Sequence, residues 1–347
     1  MAHNLEFRNG EYSFAFTGDR GAVWHRLGQQ MADGATAAEW IAASGFDYRV
    51  LKVPAVASLI GPDFDHLSGR FAESDKKFIV RQDSGRVLGI ASDGYKPVQP
   101  ADVWEWFERY ITIDERFHID AAGVLGSGER LWISAQFQGD QTIAGDRHLA
   151  RLLMSTSFDS SQATRNEATM TRVVCQNTLR LAHANAKALI KTRHSTAFNG
   201  AAVARELSQI ASSFAEFKAM GDAMAQVAMT GQQVSDFFKR LLDVDPAVNM
   251  RDKDKVSTRT ANIFDGLKTT CRITQQERNS DQHDVWTALQ AVTRYVDHDR
   301  TVRNASNENV GRFDSGTFGS GDAMKGKALE LLLPMVDKSL FRAPVAA

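Results

Sequence analysis

Apolar and polar residues alternate along several segments of the first half of the chain, the period-2 signature of strands with one covered face. Tyr48-Arg-Val-Leu-Lys-Val-Pro54 is one such segment. Phe78 to Gln82 and Arg86 to Ile90 flank Asp83-Ser-Gly85 and predict a β-hairpin with its turn at the glycine. A second hairpin is predicted from His118 to Leu125 and Arg130 to Gln138, around Gly126-Ser-Gly128. Leu149 to Ser157 and Ala168 to Val174 read as further strands, and Gly61 to Asp75 reads as a loop. Two helices interrupt this series. Thr36, followed three residues later by Glu39, predicts a capped helix over about 37–44. Pro100 opens another, to about Tyr110.

Beyond Cys175 the period changes to that of helices. Gln176 to Lys191 reads as a helix, followed by helices over Ala201–Met229, Gln232–Leu242, Lys255–Glu277, Asp284–Asp299 and Ala323 to about Val336. The predicted class is α+β: a largely antiparallel sheet with helices in the N-terminal half, then a helical C-terminal half. We expect a sheet domain over 1–195 and a mainly helical region over 196–347 that packs on it.

Charge sharpens one part of this pattern. Residues 1–150 carry 15 Lys and Arg against 21 Asp and Glu, whereas residues 151–347 carry 26 against 21. Between Arg165 and His194 six basic residues face a single acid, Glu167. A basic strand-to-helix unit with Gln176, Asn177 and Thr178 at its junction fits either a polyanion-binding surface or a solvated helix face. The polyanion reading selects Arg151, Arg165, Arg172, Arg180, Lys191, Arg193 and His194 for phosphates, and Gln176 and Asn177 for bases or sugars. Asn177 equally fits a helix cap. Further on, Arg300 and Arg303 could meet phosphates, and Tyr295 could stack on a base or sit in the core.

Other chemistries find little support. No two of the nine histidines stand three or four residues apart, and no Cys-x-x-Cys occurs, so the usual zinc patterns are absent. There is neither a Gly-x-x-x-x-Gly-Lys-Ser/Thr loop nor a Gly-x-Ser-x-Gly elbow. Asp297-His298-Asp299 reads as an exposed helix end before a metal site, and Cys175 as a structural thiol before a nucleophile. No catalytic residue, metal or cofactor is expected. Two cysteines, no apolar run of about 18 residues and no signal-peptide pattern at Met1 to Arg8 point to a cytoplasmic protein without a membrane span.

Several motifs together resemble the phage- and plasmid-like proteins of the DUF932 family. They are Trp24-His-Arg-Leu-Gly28, Tyr95-Lys-Pro-Val-Gln99, Gly126-Ser-Gly-Glu-Arg-Leu-Trp132 and Ser155-Thr-Ser-Phe-Asp-Ser160, then Arg172-Val-Val-Cys-Gln-Asn-Thr178, Arg193-His194 and Tyr295-Val-Asp-His298, with the Gly-rich stretch leading to Lys325 and Ala328. One departure is that Asp284-Val-Trp286 stands where the family carries a Gly-Thr-x-Trp motif. The resemblance implies residence in mobile elements. More loosely, the sheet-then-helix order looks like that of Rad52-type single-strand annealing proteins. The expectation is a non-enzymatic, ATP-independent protein that binds or anneals single-stranded DNA, or RNA, as a homo-oligomer. The alternative is a protein-interaction module that inhibits a host defence protein or nuclease, with the acidic first half as a DNA mimic.

Overall fold

The computed structural model describes residues 5–18, 27–59, 63, 70–139, 141–162, 164–172, 177–180, 189–191, 200–301, 315–316 and 319–337. At 73, 141, 171–172, 177–180, 189–191, 200 and 202 the backbone alone is described. The chain begins with β1 (Phe7–Arg8), β2 (Glu11–Tyr12), β3 (Phe14–Phe16) and β4 (Gln29–Gln30), then α1 (Ala37–Ser44). A three-stranded antiparallel sheet follows, made of β5 (Val50–Ser58), β6 (Phe71–Arg81) and β7 (Val87–Ser92). Next come α2 (Pro100–Ile111), β8 (Phe117–Leu125), β9 (Arg130–Phe137), β10 (Gln141–Ile143), β11 (Asp146–Ser157), β12 (Arg165–Arg172), β13 (Asn177–Arg180) and β14 (Leu189–Lys191). The rest is helical, with α3 (Gly200–Ala225), α4 (Gly231–Leu241), α5 (Thr258–Glu277), α6 (Val285–Arg294) and α7 (Ser320–Leu332). One short ribbon lies among these helices, formed by β15 (Ala228–Met229) and β16 (His283–Asp284). The class is α+β, with the sheets in the first half and most helices in the second.

Local chemistry sets the helix ends. Thr36 and Glu39 cap α1 reciprocally: the Thr36 hydroxyl accepts from the Glu39 amide, and the Glu39 carboxylate accepts from the Thr36 amide. Gly45 ends the helix at φ 81°, the left-handed region a glycine enters without penalty. A side chain there would also meet Ser13, its Cβ 2.4 Å from the serine Cβ. Thr230 and Gln233 repeat the reciprocal cap on α4. In α2 the buried residues Val103, Trp104, Phe107, Tyr110 and Ile111 recur at helical spacing and lay one face on the sheet.

The large sheet runs β13-β12-β11-β9-β8-β3-β4, with β10 on β11 and β14 on β12. Its pairings are antiparallel apart from β3 with β4. Leu131, Ile133, Ala135, Ala150, Leu152, Met154, Ala168 and Met170 share one face and are all buried. They join Phe107, Phe214, Trp286 and Leu289 from the helices in one continuous core. Polar contacts tie the layers together. Tyr110 donates to Glu206 of α3 at 2.9 Å, and Asp222 of α3 accepts from the Ala144 amide at 2.7 Å. Arg278 at the end of α5 reaches Asp146 of β11 at 3.4 Å and Asp284 at 2.8 Å.

Three expectations need correction. The helix predicted over Gln176–Lys191 is replaced, where described, by β13 and β14, which lie antiparallel along the outer edge of β12. Alanine-rich sequence favours a helix, but β12 offers an open row of backbone donors and acceptors, and pairing them outweighs a propensity of a few tenths of a kcal/mol per residue. Asn177 therefore caps no helix; it pairs with Arg172 in the ladder. The loop predicted up to Asp75 is strand from Phe71, because β5 extends to Ser58 and pairs with it. The helix predicted to Asp299 stays α-helical to Arg294 and widens to a π-helical turn over Tyr295–Asp299, closed by the Arg300 amide on the Tyr295 carbonyl at 2.7 Å.

Candidate nucleic-acid interface

The face of the large sheet turned away from the helices carries the polar chemistry. Register alone builds a row across five strands: His118 of β8 opposite Gln136 of β9, Gln136 opposite Arg151 of β11, Arg151 opposite Thr169 of β12, and Thr169 opposite Arg180 of β13. Neighbouring strands lie about 4.8 Å apart, so Arg151 and Arg180 are about 10 Å apart along the backbone row. About 13 Å further along β12, a second row places Ser155, Arg165 and Lys191 side by side. Arg172 pairs with Asn177 at the opposite end of the same strand. Residues up to 40 positions apart in sequence thus meet at one edge of the sheet.

A β-bulge orients the central arginine. Between Ile119 and Ala121 the register of β8 shifts by one residue, so that Asp120, on the face of His118, and Ala121 together oppose Ser134. Its Oδ2 accepts from Arg151 Nε at 2.5 Å and its Oδ1 from Ser134 Oγ at 2.5 Å. The Asp120 side chain is 10% exposed and that of Arg151 24%. The carboxylate holds one edge of the guanidinium, while the η nitrogens make no hydrogen bond among the described residues. An arginine held this way presents its free edge to an anion in fixed orientation.

Arg165 is more enclosed. Its Nε lies 3.5 Å from Glu167, which has no exposed surface, and its guanidinium donates to Gln162 at 3.1 Å. The acid that interrupts the basic segment in sequence therefore offsets Arg165 in space. Arg172, Asn177, Arg180 and Lys191 are placed by strand and register, whereas Gln176, Arg193, His194 and Arg303 lie outside the described residues.

Tyr295 is a core residue and not a stacking platform. It is 7% exposed, and its ring packs so closely on Gly266 of α5 that a Cβ there would stand 2.6 Å from Cε2. Arg300 follows the π-helical turn and belongs to the helical half. It donates to Ser320 Oγ at 3.0 Å at the start of α7. Burial lowers its pKa from the usual value, Tyr295 opposes that shift and Arg259 adds to it. Asp297 accepts from the buried Lys325 at 2.5 Å, and the same ammonium donates to the Gly316 carbonyl at 3.2 Å. The Gly-rich stretch is thus pinned to the π-helical turn. Among the described residues no three His, Cys, Asp or Glu side chains converge as a metal would require.

A model of the family described as "Domain of unknown function (DUF932)" matches residues 87–316, about two thirds of the chain. The chain belongs to the DUF932 family. The matched range holds the whole polar face from β8 to β14 and ends beside Gly316. No curated protein and no solved structure matches the chain. Among the described residues no helix of this DUF932 protein is long and apolar enough to cross a membrane. The departure noted at Asp284 has a local use in this DUF932 protein: the aspartate caps α6 by accepting from the Thr287 amide at 2.6 Å and receives Arg278 from α5.

Sequence reading missed Asp120, Ser134, Gln136 and Thr169. Each is an ordinary polar residue in a strand, and only the bulge and the register bring them to Arg151. The one available signal was the alternation His118-Ile-Asp120, which sets Asp120 on the face of His118.

Proposed function

We propose that this protein binds single-stranded nucleic acid, with DNA as the principal target, along the outer strands of the large sheet, without ATP. The carrying observation is the register that gathers Arg151, Arg180 and Lys191 on one face of β11–β14, with Arg151 oriented by Asp120, while Arg172 falls on the other face with Met170. Phosphates would be held by these cations, and Gln136 lies beside Arg151 to meet sugar or base oxygens. No constellation for bond cleavage accompanies them among the described residues. Annealing follows from the same geometry if the strand is held by its phosphates with base edges outward, the arrangement implied by the looser likeness to Rad52-type proteins. That likeness is one of element order alone. Residence in a phage or plasmid belongs to the same reading.

The test is fluorescence anisotropy with labelled oligo-dT, the matching RNA and duplex DNA over a range of salt. Three neutralised phosphates on a single strand give a slope of log K against log salt of about −2, or a loss of roughly 20-fold in affinity between 50 and 200 mM salt. Arg180→Glu with Lys191→Glu should abolish binding while the thermal transition is retained. Salt-independent binding, or binding unaffected by the double variant, would overturn the reading. Preference for RNA would keep the surface and change the target.

A further inference from the structure

The β1–β2 hairpin turns on Asn9-Gly10. Its register pairs Phe7 with Tyr12 and Arg8 with Glu11, so two residues alone make the turn. Both stand in the left-handed region, Asn9 at φ 54° and Gly10 at φ 88°. A two-residue turn with positive φ at both positions matches the twist of the strands it joins, and asparagine followed by glycine suits it well. The conformation therefore selects this pair of residues, and the same pair carries a chemical liability. Asn9 and Gly10 are exposed, and the Asn9 carboxamide makes no hydrogen bond among the described residues. Nothing crowds residue 10: a Cβ there would meet no atom within 4 Å, and its amide donates no hydrogen bond among the described residues. None of the other described asparagines precedes a glycine.

We propose that Asn9 is a site of spontaneous covalent modification, deamidating through a cyclic imide formed with Gly10. Solvent base takes the Gly10 amide proton, and the nitrogen attacks the Asn9 side-chain carbonyl carbon. The new N–C bond closes the ring, the bond from that carbon to the side-chain nitrogen breaks, and ammonia leaves with a proton returned by solvent. Water then opens the imide at either carbonyl, giving aspartate or isoaspartate. Glycine permits the attack because it has no side chain to shield its nitrogen. β1 and β2 hold two residues each, and a hairpin of that size is marginal without further packing. Its ties are the contact of the Phe7 and Tyr12 rings, with centroids 4.9 Å apart, and Arg8, which reaches Asp83 at 3.0 Å and also Asp47. Opening so small and exposed a unit costs far less than global unfolding, and the opened turn lets the carboxamide reach the nitrogen. The product alters the hairpin. Isoaspartate routes the backbone through the side chain and adds one carbon to the turn. Turn type and loop length fix hairpin register, so Arg8 and Glu11 lose their alignment. The tie from Arg8 to Asp47 and Asp83 is loosened with it.

Peptide mapping by mass spectrometry of the full chain, aged at mildly alkaline pH both folded and in urea, tests this. The folded protein should exchange the Asn9 amide for a carboxyl progressively, ahead of every other described asparagine, and faster as pH rises. Isoaspartate should be among the products, recognised by its resistance to aspartate-specific cleavage. Asn9→Gly keeps a pair of residues that suits the turn and carries no amide, so it should remove the signal while circular dichroism and the melting transition are retained. Hydrogen exchange over Phe7–Tyr12 should be faster in the aged protein than in fresh Asn9→Asp, because only isoaspartate lengthens the turn. Asn9 left intact in the folded chain while it reacts in urea would overturn the proposal, as would modification arising first at another described asparagine. The result is independent of nucleic-acid binding, which the mapping does not read.

Discussion

The pair formed by Asp120 and Arg151 allows the sharpest test of how the polar face is built. Two unit charges about 4 Å apart attract by about 4 kcal/mol at an effective dielectric near 20. Desolvation opposes this. Asp120 is 10% exposed and Arg151 24%, so the pair lies between a solvated bridge, worth about 0.2–1 kcal/mol, and a fully buried one, where removing a partner costs about 3–5 kcal/mol. Its hydrogen bond is charge-assisted, and Asp120 also accepts from Ser134, whose side chain is buried. A coupling of about 1.5–2 kcal/mol results. The assay is a double-mutant cycle in urea, with Asp120→Ala, Arg151→Ala and the double variant measured against the parent. Asp120→Asn keeps an acceptor for Arg151 and a partner for Ser134, and should recover at least half of the loss of Asp120→Ala. A coupling below about 0.5 kcal/mol would refute the view that the bulge at Asp120 fixes the arginine.

Other expectations follow from packing and burial. Glycine to alanine in a helix interior normally stabilises by about 1 kcal/mol, but Gly266→Ala should destabilise by about 1–2 kcal/mol, because its Cβ meets the buried Tyr295 ring at 2.6 Å. Thermal melts should show a smaller loss when Tyr295→Leu accompanies it. Burial, with the nearby charge of Asp284, raises the Cys271 thiol from 9.0 to about 12, which cuts its thiolate fraction near pH 8 about 1,000-fold. On a Cys175→Ser background, alkylation should be at least a hundredfold slower in the folded protein than in denaturant. Because the folded value is the higher one, this contribution to stability is complete below pH 9 and is lost as pH rises toward 12, which pH-dependent urea titrations would register. Thr36→Ala removes the hydroxyl that caps α1 and should cost about 1 kcal/mol, with Thr36→Ser close to neutral.

Local sequence decided much of this protein. Alternation placed both hairpins, Thr36 with Glu39 fixed the start of α1, and Pro100 fixed the start of α2, because each signal acts within a few residues of the chain. The α+β class followed from the strand alternation of the first half and the helical period from Ala201 onward. The strands β13 and β14 were missed: their sequence suits a helix, and the open edge of β12 draws the described parts into the sheet. The candidate site divides in the same way. Charge density marked Arg165, Arg172, Arg180 and Lys191, since it needs no knowledge of the fold. Pairing Arg151 with Asp120, enclosing Glu167 beside Arg165 and burying Tyr295 on Gly266 all depend on register, a bulge and helix packing. Arg151 with Asp120 and Tyr295 with Gly266 are pairs that the chain keeps apart, and the tertiary structure alone brings them within reach.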